Sequence, residues 1–255
     1  MTATAAAFRD GFETGRLDAD RWIPAYLPQW TTPELAAARY RFEDGRLVLE
    51  ITAATAPWCP EHDGEVRVSS IQTGVRSGPA GSADGQHRFA PGVTVVTPQA
   101  TRRLYTPLFG RIGIRASAIA DPRAMVALWM IGFEDVPEAS GEILVMEIFG
   151  RDVRPSRTAV GMGVRPHRDP RLRDGFASVP LALDATQPHE YVVDWGPDGI
   201  TWTVDGRPVL ESDQSPGYPM QLMLGIYAFE ALRPDEPPLS FVVERVWGDP
   251  VEGRP

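Results

Sequence analysis

Glu142 and Glu147 sit within Gly141-Glu142-Ile143-Leu144-Val145-Met146-Glu147-Ile148-Phe149-Gly150, a stretch that is otherwise apolar and has strand character. Burying a carboxylate without a partner is expensive, so acids in such a run usually serve chemistry. Side chains alternate along a strand, so positions five apart face opposite ways unless an extra residue bulges out between them. Bulges are over-represented beside active sites. With a bulge between Leu144 and Glu147 the two carboxyl groups share a face. One can then act as nucleophile and the other as acid and base, the equipment for cleaving a glycosidic bond with retention. The competing reading is a pair of surface carboxylates neutralised by arginines such as Arg111 and Arg115.

The elements that must position this pair read as short strands between turns. Ile200, Trp202 and Val204 share one face of a half-buried strand, and Leu47 and Leu49 alternate in the same way. Asp205-Gly206 and Pro197-Asp198-Gly199 are hairpin turn signals. The runs Met125–Phe133, Glu142–Phe149 and Met220–Phe229 are continuously apolar, which suits strands covered on both faces. Long helical periodicity is absent. Many short strands with regular turns predict a sandwich or a barrel. Residues 74–106 break the rhythm with Gly, Pro, Ser and Gln; a loop of that length either walls a functional cleft or is a solvated insertion.

Several motifs, in order, carry a family resemblance. The segments are Phe12–Asp18 with Trp22, Tyr40–Leu49, Phe109–Ala116, Ala127-Leu128-Trp129-Met130, Glu142–Glu147, His189–Trp195 and Ile200–Gly206. Together they resemble glycoside hydrolase family 16, the laminarinase- and lichenase-like enzymes, whose bulged signature reads Glu-x-Asp-x-x-Glu. The resemblance implies an all-β, two-sheet antiparallel β-sandwich, a concanavalin A-like jelly roll with a concave cleft, as a single domain over 1–255. It implies a retaining glycosidase or transglycosylase acting on β-linked glucan or galactan, with Glu142 as nucleophile and Glu147 as acid/base. Trp129, His167, Tyr227 and Glu230 are the expected substrate-binding residues. Trp195 and Trp202, alternating with polar neighbours, are expected in the core.

Leu144 departs from the signature, standing where the family has its central Asp. An apolar side chain there removes a hydrogen-bonding partner and dries the surroundings, which predicts a raised pKa on Glu142. A second departure is Val136–Ser140, which lacks the Trp that often precedes this motif. These departures favour an alternative, a glycan- or small-molecule-binding jelly roll that keeps the carboxylates without efficient turnover.

Composition narrows the partners. The net charge is −9 and all 25 basic residues are Arg, with no basic stripe interleaved with aromatics, so nucleic acid is not an expected partner. The 24 Gly and 25 Pro suit a turn-rich β protein. The single cysteine, Cys59, forms no internal disulfide and no metal cluster. No nucleophile elbow or phosphate loop is present, and Glu211–Ser215 lacks the pattern of a calcium loop. The expected partner is an oligo- or polysaccharide, with no cofactor, no metal and no membrane. Met1–Ala7 lacks the form of a secretory signal, which implies a cytoplasmic protein if Met1 is the native start and a secreted one if Met1 replaces a removed leader.

Overall fold

The computed structural model describes residues 7–250, so most of the Met1–Ala7 segment lies outside the described residues. Two large antiparallel sheets face each other. One runs in the order Arg207–Ser212, Gly199–Val204, His189–Gly196, Gly110–Ser117, Leu239–Asp249, Arg46–Ile51, Tyr40–Glu43, with Phe8–Asp10 also paired to Leu239–Asp249. The second runs Val153–Arg154, Arg157–Arg165, Glu142–Phe149, Ala124–Gly132, Met220–Ala228, Arg67–Gln72, with Ala177–Leu181 added beside Arg157–Arg165. A small hairpin of Gly74–Val75 and Arg102–Arg103 stands apart.

The turn chemistry works as the residues dictate. Asp44-Gly45 and Asp205-Gly206 both take positive φ at each position, the type I′ geometry that matches strand twist. Both four-residue helices, Pro33–Ala36 and Pro60–Asp63, begin with proline, which tolerates the first helical position.

Two apolar layers result. The main one lies between the sheets and contains Trp195 and Trp202, as the alternation predicted. A second layer lies on the outer face of the Glu142-bearing sheet, where Tyr26, Trp30, Trp58, Val93 and Val95 from loops cover Met125, Ala127, Trp129, Ile131 and Tyr227. The central strands are therefore buried on both faces, which explains their continuous apolar runs.

Candidate active site

The Glu142–Phe149 strand is bulged in both of its ladders. Toward Ala124–Gly132, Glu147 pairs with Ala127, Leu144 with Trp129 and Glu142 with Ile131, so three steps on one strand match two on the other. Toward Arg157–Arg165, Glu147 pairs with Gly161 and Leu144 with Gly163. Residues directly opposite in an antiparallel pair share a face, so Glu142, Leu144 and Glu147 all join the face of Ala127, Trp129 and Ile131. Gly163 is required for this arrangement. Its φ is +130° and a Cβ would lie 2.3 Å from the Gly175 carbonyl oxygen.

Ala127, Trp129, Glu142, Leu144 and Glu147 line a cleft of about 260 Å³ with Tyr26, His87, Phe89, Met125, Arg165, His167 and Tyr227. Trp129 is packed as well as cleft-lining: its Nε1–H donates to Tyr227 Oη at 3.1 Å, and its ring meets His87 edge-on at 5.1 Å. Of the residues singled out from sequence, Glu142, Glu147, Trp129, His167 and Tyr227 come together. Glu230 does not: its strand ends at Ala228, and Glu230 is exposed outside the cleft lining. Arg111 and Arg115, candidates for neutralising the pair, lie in the other sheet and pair with Asp194 and Glu244.

The two carboxyl groups differ in surroundings. Burial pushes Glu142 up, but a hydrogen bond from His167 and the charges of His87, His167 and Arg165 outweigh it and leave Glu142 below the ordinary carboxylate range. His167 Nε2 is 2.5 Å from Glu142 Oε1, and His87 Nδ1 is 3.4 Å from the same oxygen. Burial also raises Glu147; Arg165, with Nη2 3.6 Å away, only partly offsets that rise, and the charge of Glu142 adds to it. The expected rise of Glu142 opposite Leu144 is therefore corrected. Leu144 is indeed apolar and buried, but imidazoles from two loops supply the polar partners that position 144 lacks.

Burial lowers His87 to about 4, whereas for His167 the pairing with Glu142 overcomes burial and raises it. Of the two imidazoles around the Glu142 carboxylate, His167 thus holds its proton to higher pH than His87. Among the described residues, His87, Glu142 and His167 are the one group of three whose donor atoms converge, within 4.8 Å. Ligands on a tetrahedral zinc ion with bonds of about 2.0–2.1 Å would stand roughly 3.3 Å apart. The 2.5 Å approach of His167 is too close for two ligands of one ion and is that of a direct, short hydrogen bond.

His87 and Glu134 were not singled out by sequence reasoning. His87 had one available signal, as a histidine inside the 74–106 loop already suspected of walling a cleft. Glu134 follows the Ala124–Gly132 strand, is buried, and accepts the His87 backbone N–H at 2.7 Å.

No curated protein matches the chain in sequence. Among solved structures it is similar to a GlcNAcα1-4Gal-releasing endo-β-galactosidase from Clostridium perfringens, with TM-score 0.81 and 28% identity over 100% of this chain. The chain spans 65% of the length of that protein. It shares the fold of the laminarinase catalytic domain from Thermotoga maritima, with TM-score 0.60, 16% identity and coverage of 96% and 98% of the two chains. It also shares the fold of a non-specific endo-β-1,3(4)-glucanase, with TM-score 0.64, 19% identity and coverage of 96% and 91%. The model of the glycosyl hydrolases family 16 matches residues 100–235, the span that holds both glutamates and the bulge between them, and the chain belongs to that family.

Proposed function

We propose that this protein is a retaining β-glycosidase or transglycosylase in which Glu142 is the nucleophile and Glu147 the acid/base. The observation that carries this reading is the opposite displacement of two carboxyl groups facing one cleft. Glu142 is held ionised by His167 and its neighbours, while burial keeps a proton on Glu147 to higher pH. Two titratable groups pushed apart by their surroundings divide the acid and base work between them. Glu142 attacks the anomeric carbon as Glu147 protonates the departing glycosidic oxygen. Glu147, now ionised, then takes a proton from water or from an acceptor sugar hydroxyl, and that oxygen displaces Glu142 with net retention.

The substrate class is a β-linked galactan or glucan, or an oligosaccharide derived from one. Similarity to the endo-β-galactosidase over the whole chain points first to β-galactosides. Trp129, Tyr26, Phe89 and Tyr227 give the cleft the aromatic walls that pack against sugar rings. The test is incubation with defined β-galactosides and β-1,3- and β-1,4-glucan oligosaccharides, with products followed by mass spectrometry and anomeric configuration by NMR. Cleavage with retention, lost in Glu142→Gln, is expected. Leu144 in place of the family's Asp favours a second reading, a glycan-binding module without turnover. Saturable binding of the same oligosaccharides by wild type, with no product from any of them, would establish that reading.

A further inference from the structure

Three of the residues around Glu142 hold a backbone conformation that side chains disfavour. His87, Glu134 and His167 have φ values of 49°, 57° and 45°. Such left-handed non-glycine residues are uncommon, and they persist where surrounding contacts over-determine them. The contacts that do so here meet at Glu134.

One Glu134 carboxyl oxygen accepts the backbone N–H of His87 at 2.7 Å, and the other pairs with the Arg168 guanidinium. The Glu134 backbone carbonyl accepts Arg76 Nη1 at 3.0 Å, and Arg76 in turn holds Asp84 at 2.6 Å. The Arg168 N–H donates to Ser140 Oγ at 3.0 Å, fixing the backbone beside His167. A single buried carboxylate therefore bridges the two loops that carry imidazoles to Glu142. Those loops are far apart in sequence and join different elements, so the imidazoles have no shared strand to hold them in place.

We infer that Glu134 is a positioning residue, whose carboxylate clamps the His87 and His167 segments together and so keeps both imidazoles against Glu142. The inference rests on the reading of Glu142 as nucleophile only for its effect on rate; the clamp itself is a statement about the two histidines. Glu134 faces His87, His167, Arg168, Arg76 and Asp84, with Asp135 beside it in a recess of about 380 Å³ that also takes in Arg168. Burial outweighs the pull of these partners and pushes its pKa to about 7. The clamp is thus fully ionised only above neutrality. His167, the group whose response is read, faces Glu142, His87, Glu134 and Arg165.

The test uses ¹⁵N-histidine-labelled protein, whose four imidazoles can be followed separately, in wild type, Glu134→Gln, Glu134→Ala and Arg168→Gln. Arg168→Gln removes the cation from the far side of the clamp at a side chain that is 42% exposed, against 3% for Glu134, so it disturbs packing less than Glu134→Ala. The Glu134 variants also remove a charge that itself raises His167, so the clamp is read in Arg168→Gln, where that charge stays and the His167 titration moves down toward the ordinary histidine value because its contact with Glu142 loosens. Glu134→Gln, which still accepts the His87 N–H, moves it less than Glu134→Ala. In the same variants kcat falls about tenfold to a hundredfold with KM nearly constant, as for a displaced catalytic contact. The acid limb of kcat/KM moves to higher pH. A His167 titration and an acid limb that match wild type in Arg168→Gln, with only Tm lowered, would overturn the clamp. A chain without glycosidase activity whose His167 titration still moves in Arg168→Gln would retain the clamp and lose the proposed function. An active enzyme with an unmoved titration would do the reverse.

Discussion

His167 Nε2 stands 2.5 Å from Glu142 Oε1, and that contact lowers the pKa of a carboxyl group that burial would otherwise raise. Removing it tests the role of Glu142 directly. In His167→Gln the imidazolium is lost and burial prevails, so the Glu142 pKa rises. The acid limb of kcat/KM, which reports ionisation of the free enzyme's nucleophile, should move to higher pH, with larger activity losses at pH 5 than at pH 8. An acid limb that stays in place would separate Glu142 from the reaction.

The two glutamates should differ in how they are rescued. Glu147→Ala is expected to lose about 10²–10⁴-fold in turnover of substrates with poor leaving groups, the size of a well-placed acid/base contribution. With an activated aryl glycoside, whose leaving group departs without protonation, added azide should restore turnover of Glu147→Ala and give a glycosyl azide of retained configuration. Glu142→Ala with azide should give the inverted product from an activated substrate. The same stereochemistry from both variants, read by NMR, would break the assignment.

Leu144→Asp, the change that recreates the family signature, should not raise turnover. His167 already holds Glu142, and a carboxylate at 144 would enter a buried face between two others. The expected cost is about 1–3 kcal/mol of stability, together with a higher Glu142 pKa from like-charge repulsion. Chemical denaturation and a pH–rate profile check both. A stable variant with faster hydrolysis would show that the imidazoles do not fill the role of the missing Asp.

His87 and Glu134 should make opposite contributions to the pH dependence of folding. His87 is depressed to about 4, so the unfolded chain binds more protons between roughly pH 6.5 and 4, and stability falls as pH falls. Glu134 is raised to about 7, so the folded chain binds more protons between roughly pH 4.5 and 7, and stability falls as pH rises. Each effect is on the order of 3 kcal/mol at full span, and over the shared window they largely cancel. From pH 4.5 to 6.5 the two groups together should therefore add little net slope to the wild-type curve. Glu134→Gln should expose a loss on acidification and His87→Asn a loss on raising pH, both measured by urea unfolding. Parallel curves in all three proteins would contradict the assignment.

Trp129→Ala should damage more than sugar binding. The ring belongs to the outer apolar layer and bonds Tyr227, so truncation is expected to cost about 3–5 kcal/mol as well as affinity. Trp129→Phe should keep most of the stability while losing the bond to Tyr227. A Trp129→Ala protein with unchanged Tm would place the ring outside the layer.

Much of the sandwich was legible because local patterns and global packing agree. The alternation through Trp202, the Asp205-Gly206 turn and the continuous apolar runs each specify what the sheets require. The glutamate pair was legible for the same reason, since two carboxylates in an apolar strand demand an explanation and the bulge supplies it. The setting of Glu142 was not. Its partner His87 arrives from a loop more than fifty residues upstream and is fixed by Glu134, 47 residues further along. No period or turn signal encodes such a meeting. The expected rise of the Glu142 pKa went astray because position 144 was judged against its strand alone, while the charges that lower it come from loops. Glu230 failed for a related reason: its strand stops two residues short, and the chain turns out to solvent.

The main apolar layer holds Trp202, whose Nε1–H donates to the Leu144 carbonyl at 2.7 Å. Trp202 belongs to the other sheet, so the irregular strand is tied through dry interior to a strand that never touches the cleft. Straightening the strand would leave that indole proton without an acceptor where no water can reach it, at about 1–3 kcal/mol. The kink that aligns the two carboxylates is thereby a property of the entire sandwich. The indole proton of Trp202 should accordingly exchange with deuterium only when the sheets separate, giving a clock for global opening that sits one bond from the site.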